Sequence, residues 1–206
     1  MSSITGSPHS SSTKSAATST TTYSGWKTYT WQAEGLSLKY PASWEIDSET
    51  DQFGLPHLTI TSPMTQTVTD TSGSKATGVM QVMLDYSSTP QYPASTIGGV
   101  DYVVKVSPYT IGGYKDVSLL EDGSTAADDV LELSLSDQVS SVGETQLPNV
   151  DSFISKDHSG VTINTAAGLF YQPPQGQGGF TGMPISTFEG LSDFSNAQNI
   201  LLSLTY

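Results

Sequence analysis

The chain predicts an α+β fold: a central, mainly antiparallel sheet with one C-terminal amphipathic helix packed on it. Three observations carry this expectation. From Tyr23 to about Thr165, short runs of alternating apolar, β-branched and aromatic residues are separated by Gly, Pro and acidic turn residues. Leu191, Phe194, Ala197, Leu201 and Leu204 recur at three- and four-residue steps, lining one side of a helix. A sheet face and a single helical stripe are best buried against each other.

Residues 1–22 are Ser/Thr-rich and have almost nothing to bury, so they predict a disordered linker, with the domain spanning 23–206. They contain no apolar run of a signal peptide or membrane helix. A Ser/Thr stalk of this kind suggests an anchor upstream of Met1; an ordinary disordered terminus is the other open reading.

Lys27 to Ala33 reads as a first strand with Tyr29 and Trp31 on one face, and Glu34-Gly35 as a turn. Leu36, Leu38 and Tyr40 then alternate with Ser37 and Lys39 up to Pro41, which has no N–H for a ladder and ends the strand. Trp44 is expected to fold back over the core. Glu45 to Gly54 reads as an acidic loop. His57 to Ser62 alternates until Pro63 stops it, and Met64 to Gly78 reads as a long polar, mobile excursion.

Val79 to Tyr86 is apolar enough for a central strand buried on both faces. Ile97 to Val106, Val117 to Leu120, Val130 to Leu135 and Val161 to Thr165 are further strands, with turns at Ile111–Tyr114 and Glu121-Asp122-Gly123. Val139 to Ser155 is ambiguous. Gln172 to Pro184, with three prolines and four glycines, is the most obvious exposed loop. At the closing helix, Ser192 or Asp193 suits the first turn as a cap.

The formal charge is −13, and all seven basic residues are lysines. Such a chain repels nucleic acid and has no basic stripe for anionic lipid. Without cysteine it has no disulfides or thiolate metal sites. Only 13% of residues are charged, against about 25% in an average domain. Hydroxyl side chains fill the difference, which leans towards an extracytoplasmic setting.

Two segments carry a resemblance. Leu36-Ser37-Leu38-Lys39-Tyr40-Pro41-Ala42-Ser43-Trp44 opens the sheet, and Phe194 to Leu204 closes it. Together they resemble PsbP-like domains, in which a "φ-x-φ-x-Y-P-x-x-W" strand and a C-terminal "I-L-x-S-φ" helix bracket an antiparallel sheet. The resemblance covers both ends of the chain and little of the middle. It implies an α/β/α sandwich and a partner-binding role without defined chemistry. With the Ser/Thr stalk and Trp26-Lys27-Thr28-Tyr29-Thr30, the chain also resembles stalked, membrane-anchored surface proteins of Saccharibacteria and related ultra-small bacteria. Leu38 stands where those carry phenylalanine, and the lack of arginine is a further departure.

Candidate sites are sparse. Asp47, Glu49 and Asp51 are spaced like a calcium loop, but Gln52 replaces its glycine and Leu58 its closing glutamate, so a solvated acidic loop is expected. Glu121, Asp122, Asp128 and Asp129 offer carboxylates for acid–base chemistry with nothing to make two of them face across a cleft. His9, His57 and His158 show no zinc or triad spacing. Gly98-Gly99, Gly112-Gly113 and Gly178-Gly179 read as turns.

Among the aromatics, Trp26, Trp31, Tyr92, Tyr109, Tyr114, Phe180 and Phe188 are possible contact residues, with Trp31 and Trp44 assigned to the core. Tyr171, Gln172 and Phe180, in or beside the Gly/Pro-rich loop, are the candidate binding residues. The expected function is a non-catalytic binding module for a protein or envelope glycan, without cofactor or metal. An envelope-polymer hydrolase and an accessory subunit of a surface assembly are the alternatives.

Overall fold

The computed structural model describes residues 23–32, 35–50, 54, 56–87, 100–111, 114–123, 129–137, 141–146, 153–156, 161–171 and 182–205. They form thirteen strands. The first five are β1 (Trp26–Trp31), β2 (Leu36–Pro41), β3 (Glu45–Thr50), β4 (Pro56–Thr69) and β5 (Lys75–Ser87). Next come β6 (Val100–Ile111), β7 (Tyr114–Gly123), β8 (Asp129–Val130), β9 (Glu132–Ser136) and β10 (Gly143–Gln146). The last three are β11 (Phe153–Lys156), β12 (Val161–Tyr171) and β13 (Met183–Pro184), before helices α1 (Ile185–Glu189) and α2 (Phe194–Leu202). The α+β class follows: a mostly antiparallel sheet with two short C-terminal helices.

The main sheet runs β10-β6-β7-β9-β12-β5-β4-β3, with β11 also on β12, and every pairing is antiparallel. One face presents Leu58, Ile60, Met80, Val82, Leu84, Ala167, Leu133 and Leu135, all buried. Both helices and the β1–β2 ribbon contribute to the core on this face, through Trp31, Leu36, Leu38, Phe188, Phe194, Ala197 and Leu201. The ribbon is tied to the C-terminus by reciprocal backbone bonds between Ser37 and Thr205 (2.8 and 2.9 Å). In the middle of the sheet Gly168 is required, because a Cβ there would lie 2.7 Å from the Leu131 carbonyl oxygen.

The opening strand behaves as its pattern predicts. Pro41 is the last residue of β2, Trp44 N–H donates to the Pro41 carbonyl at 3.0 Å, and Trp44 is buried. Three other expectations are corrected. The acidic stretch is strand β3 up to Thr50, because alternation lets Ile46 turn inward while Glu45, Asp47 and Glu49 face solvent. Glu121-Asp122-Gly123 is strand rather than turn, with both carboxylates in buried side chains. β5 is fully buried on one face only: Met80, Val82 and Leu84 are buried, while Val79, Gln81 and Met83 are half-buried. The 139–155 stretch, left open by its pattern, contains β10, and β11 begins in it at Phe153.

The largest correction concerns Pro63. It does not stop the strand. Between the pairs Thr61↔Gln81 and Thr65↔Val79, Ser62, Pro63 and Met64 form a bulge, and β4 then continues to Thr69. A bulge is where a ladder tolerates proline, since the extra residues are unpaired. Ser62 pins it: its hydroxyl donates to Asp193 and accepts the Met64 N–H at 2.9 Å. The supposed excursion from Met64 to Gly78 is therefore a β hairpin. It turns at Asp70–Ser74, where Asp70 Oδ1 accepts from Ser74 N–H and Ser72 Oγ (both 2.7 Å) and Gly73 takes φ +86°.

The helical stripe is buried as expected, but Leu191 precedes α2 and Leu204 follows it. Asp193 sits at the N-cap without bonding the first-turn N–H groups. Its carboxylate is taken by Ser62 and by Asn196 Nδ2 (3.2 Å).

Candidate functional site

Beyond the bulge, no strand among the described residues pairs with the outer side of β4, and only past its end does Thr71 N–H donate to the Gly182 carbonyl (3.2 Å). β3 pairs with β4 only from Pro56 to Thr61. Between Met64–Thr69 on one side and Thr187 of α1 with Gly190, Leu191 and Ser192 of the α1–α2 turn on the other lies an open cleft of about 580 Å³. Its floor includes buried Val68 and Leu191, its walls are hydroxyl-rich, and no charged residue lines it among the described residues. Gln66 bridges the walls: its Oε1 accepts Ser192 N–H at 2.8 Å, while its buried Nε2 has no partner.

The wall carrying α1 is held by a charged cluster. Lys105 donates to Glu121 (3.1 Å) and to Glu189 at the end of α1. The hydrogen bond to Glu189, reinforced by Glu121 and opposed by partial burial, holds Lys105 above the usual lysine range. Burial pushes the Glu121 carboxyl up, with Lys105 opposing. Of its oxygens, Oε2 is buried without a partner. Glu121 and Asp122 point to opposite faces; Asp122 accepts from Ser134 Oγ at 2.9 Å. They do not make a facing carboxylate pair.

On the opposite face, three polar side chains line up across β4 and β5. Asp85 Oδ1 lies 2.6 Å from His57 Nδ1, and His57 Nε2 lies 2.8 Å from Thr59 Oγ1. Spacing in the sequence misses this because Asp85 comes from the neighbouring strand at the register position of His57. The signal that could have found half of it is His57-x-Thr59, two residues on one face of a strand. The arrangement can hold an imidazole in one tautomer and orient a hydroxyl.

Of the expected binding residues, Tyr171 ends β12 opposite Gly78, while Gln172 and Phe180 lie outside the described residues. Phe188 is no contact residue: it is fully buried, packed edge-on against Phe194 at 5.5 Å. Phe170, on β12, is exposed. Of the acids spaced like a calcium loop, Asp47 and Glu49 lie on the extended strand β3, and Asp51 lies outside the described residues. Among the described residues, no group of three or more His, Cys, Asp or Glu is placed to hold a metal ion, and no helix is long and apolar enough to cross a membrane.

No protein-family model, curated protein or solved structure matches the chain.

Proposed function

We propose that the chain is a binding module that engages a partner through the cleft between the outer half of β4 and the α1–α2 turn. The observation that carries this is a strand edge that no described strand pairs with, lying beside a cleft whose described lining has an apolar floor and hydroxyl-rich, uncharged walls. Two further proposals accompany it. The sheet closed by α2, with the Leu36–Trp44 segment against it, supports a PsbP-like architecture. The hydroxyl-rich, charge-poor composition and Ser/Thr stalk support display outside the cytoplasm, tethered through an N-terminal anchor.

The test is capture of an envelope protein or glycan by the immobilised chain, repeated with Ser192→Arg, which places a long cation at the mouth of the cleft. Thr28→Arg on exposed β1 is the control. Binding lost only in Ser192→Arg supports the reading. Binding lost on Phe180→Ala and untouched by Ser192→Arg moves the site to the Gly/Pro-rich loop. No capture from any envelope fraction overturns it.

The Asp85–His57–Thr59 alignment favours a second reading, hydrolysis with Thr59 as nucleophile and His57 as base. Turnover of an activated ester that disappears in both Thr59→Val and His57→Gln supports it. Identical rates for wild type and variants sink it.

A further inference from the structure

We infer that the occupant of this cleft is an extended peptide strand, neutral at its centre and basic at one end, which adds to the free edge of β4. The inference rests on the binding reading above and identifies the partner's chemistry. Ladder parity is the first observation. Asp70 N–H donates to the Ser74 carbonyl at 2.8 Å, and the Asp70 carbonyl accepts Gly73 N–H at 3.0 Å, so Asp70 faces β5 with both backbone groups. Hydrogen-bonded and non-bonded pairs alternate along an antiparallel ladder. Val68↔Ala76 and Gln66↔Gly78 are therefore bonded pairs, and Thr65, Thr67 and Thr69 turn their N–H and C=O groups away from β5. The hydroxyls of Thr67 and Thr77, 2.8 Å apart, fit the closer approach of a non-bonded pair. Among the described residues, no strand pairs with these three threonines on their outer side.

The edge is also undefended. Sheets blunt their edges with charge, proline or bulges. β3 does so with exposed Glu45, Asp47 and Glu49, and β4 has Pro63 in its bulge. From Met64 to Thr69 there is neither a charge nor a proline. An added strand would project alternate side chains to the two faces of the sheet. Those on the helix side meet Val68, Leu191 and the unpartnered Gln66 Nε2. Those on the other side lie beside Thr65, Thr67 and Thr69.

Charge sets the ends. The incoming strand is collinear with β3, whose near residue Glu45 opposes Thr61, so its inner end comes up to Glu45, the first of the row Glu45, Asp47, Glu49. A lysine or arginine there is complementary to this row and to a chain of net charge −13, whereas the uncharged cleft disfavours ions at the centre.

The experiment selects a phage-displayed library of short random linear peptides against the full chain, then measures amide hydrogen exchange of the chain with the best synthetic peptide. Expected are enriched sequences that alternate apolar and polar residues with a terminal lysine or arginine. Slowing of exchange should be at least about ten-fold at Thr65, Thr67 and Thr69, with little change at Gln66 and Val68. Methylating alternate peptide nitrogens should weaken binding by about ten-fold or more, which needs no change to the protein. Full affinity for the methylated peptide, or binding that leaves those three amides unprotected, overturns strand addition. Failure of every peptide, together with cleft perturbation by an N-acetylglucosamine oligomer, overturns strand addition and leaves the binding reading standing. If neither probe touches the cleft, both fall.

Discussion

β4 is one strand with two fates. Its inner half, Pro56–Thr61, pairs with β3 on one side and β5 on the other, and sends Leu58 and Ile60 into the core. Its outer half, Met64–Thr69, pairs among the described residues with β5 alone, and Met64 is 47% exposed. The two halves share a chain direction and much the same threonine-rich composition. What separates them is the bulge at Ser62–Met64, past which β3 no longer follows. The free edge is a consequence of where a neighbour ends. The outer half is the more polar of the two, but nothing in its residues says that it lacks a neighbour.

The largest expected effect tests that contrast directly. Ile60→Ala should cost about 3 kcal/mol in urea denaturation, as for other fully buried aliphatics, while Met64→Ala should cost under about 0.5 kcal/mol. Equal losses would erase the distinction between the halves.

Next in size is the support of the opposite wall of the cleft. Lys105→Met leaves Glu121 buried without its cation and should destabilise by about 2 kcal/mol at neutral pH, a value reduced for the partial exposure of Lys105. The sign of the pH dependence follows from Glu121, whose folded carboxyl is raised by burial. A raised group contributes stability below its unfolded value and loses it as pH rises through the folded value. The variant should therefore recover towards wild type on acidification, and Lys105→Met/Glu121→Gln should show less of this dependence. Lys105, itself raised, keeps its contribution below the ordinary lysine range and loses it only as pH climbs through its folded value. Denaturation midpoints across an acid-to-neutral series check the first claim.

Ser62→Ala should cost about 1–2 kcal/mol, because it unpins the bulge and leaves the buried Asp193 carboxylate with Asn196 as its remaining side-chain partner described here. Retained stability would mean that Pro63 alone holds the bulge. The smallest effect is at the edge itself. Thr67→Val, which removes only the exposed hydroxyl contact with Thr77, should shift stability by less than about 0.5 kcal/mol. In the free chain, amides of Thr65, Thr67 and Thr69 should exchange faster than those of Gln66 and Val68. Uniform exchange along the outer half would contradict the ladder parity.

Much of the fold was legible in local pattern. Leu36, Leu38 and Tyr40 alternate and are buried; Trp44 returns to the core; Leu191, Phe194, Ala197, Leu201 and Leu204 are all buried. These are properties of period, which residue spacing carries by itself. The misreadings came from polar strands. Glu45–Thr50, Met64–Thr69 and Glu121-Asp122 read as loops or turns because their residues are hydrophilic, yet each is held by ladder bonds to a neighbour. The candidate site was less legible still, since Thr187 and Ser192 meet Gln66 across more than a hundred residues of chain.

By itself, then, the sequence determined the class, the alternating inner faces, the closing helical stripe and the acidic, hydroxyl-rich surface, because each depends on residue type at a fixed period. Only the tertiary structure decided that Pro63 makes a bulge, that Asp85 meets His57, and that β4 outruns β3 beside the α1–α2 turn. Register and strand order are settled by which faces can be buried together. That is a property of the whole assembled sheet, and no single stretch of chain carries it.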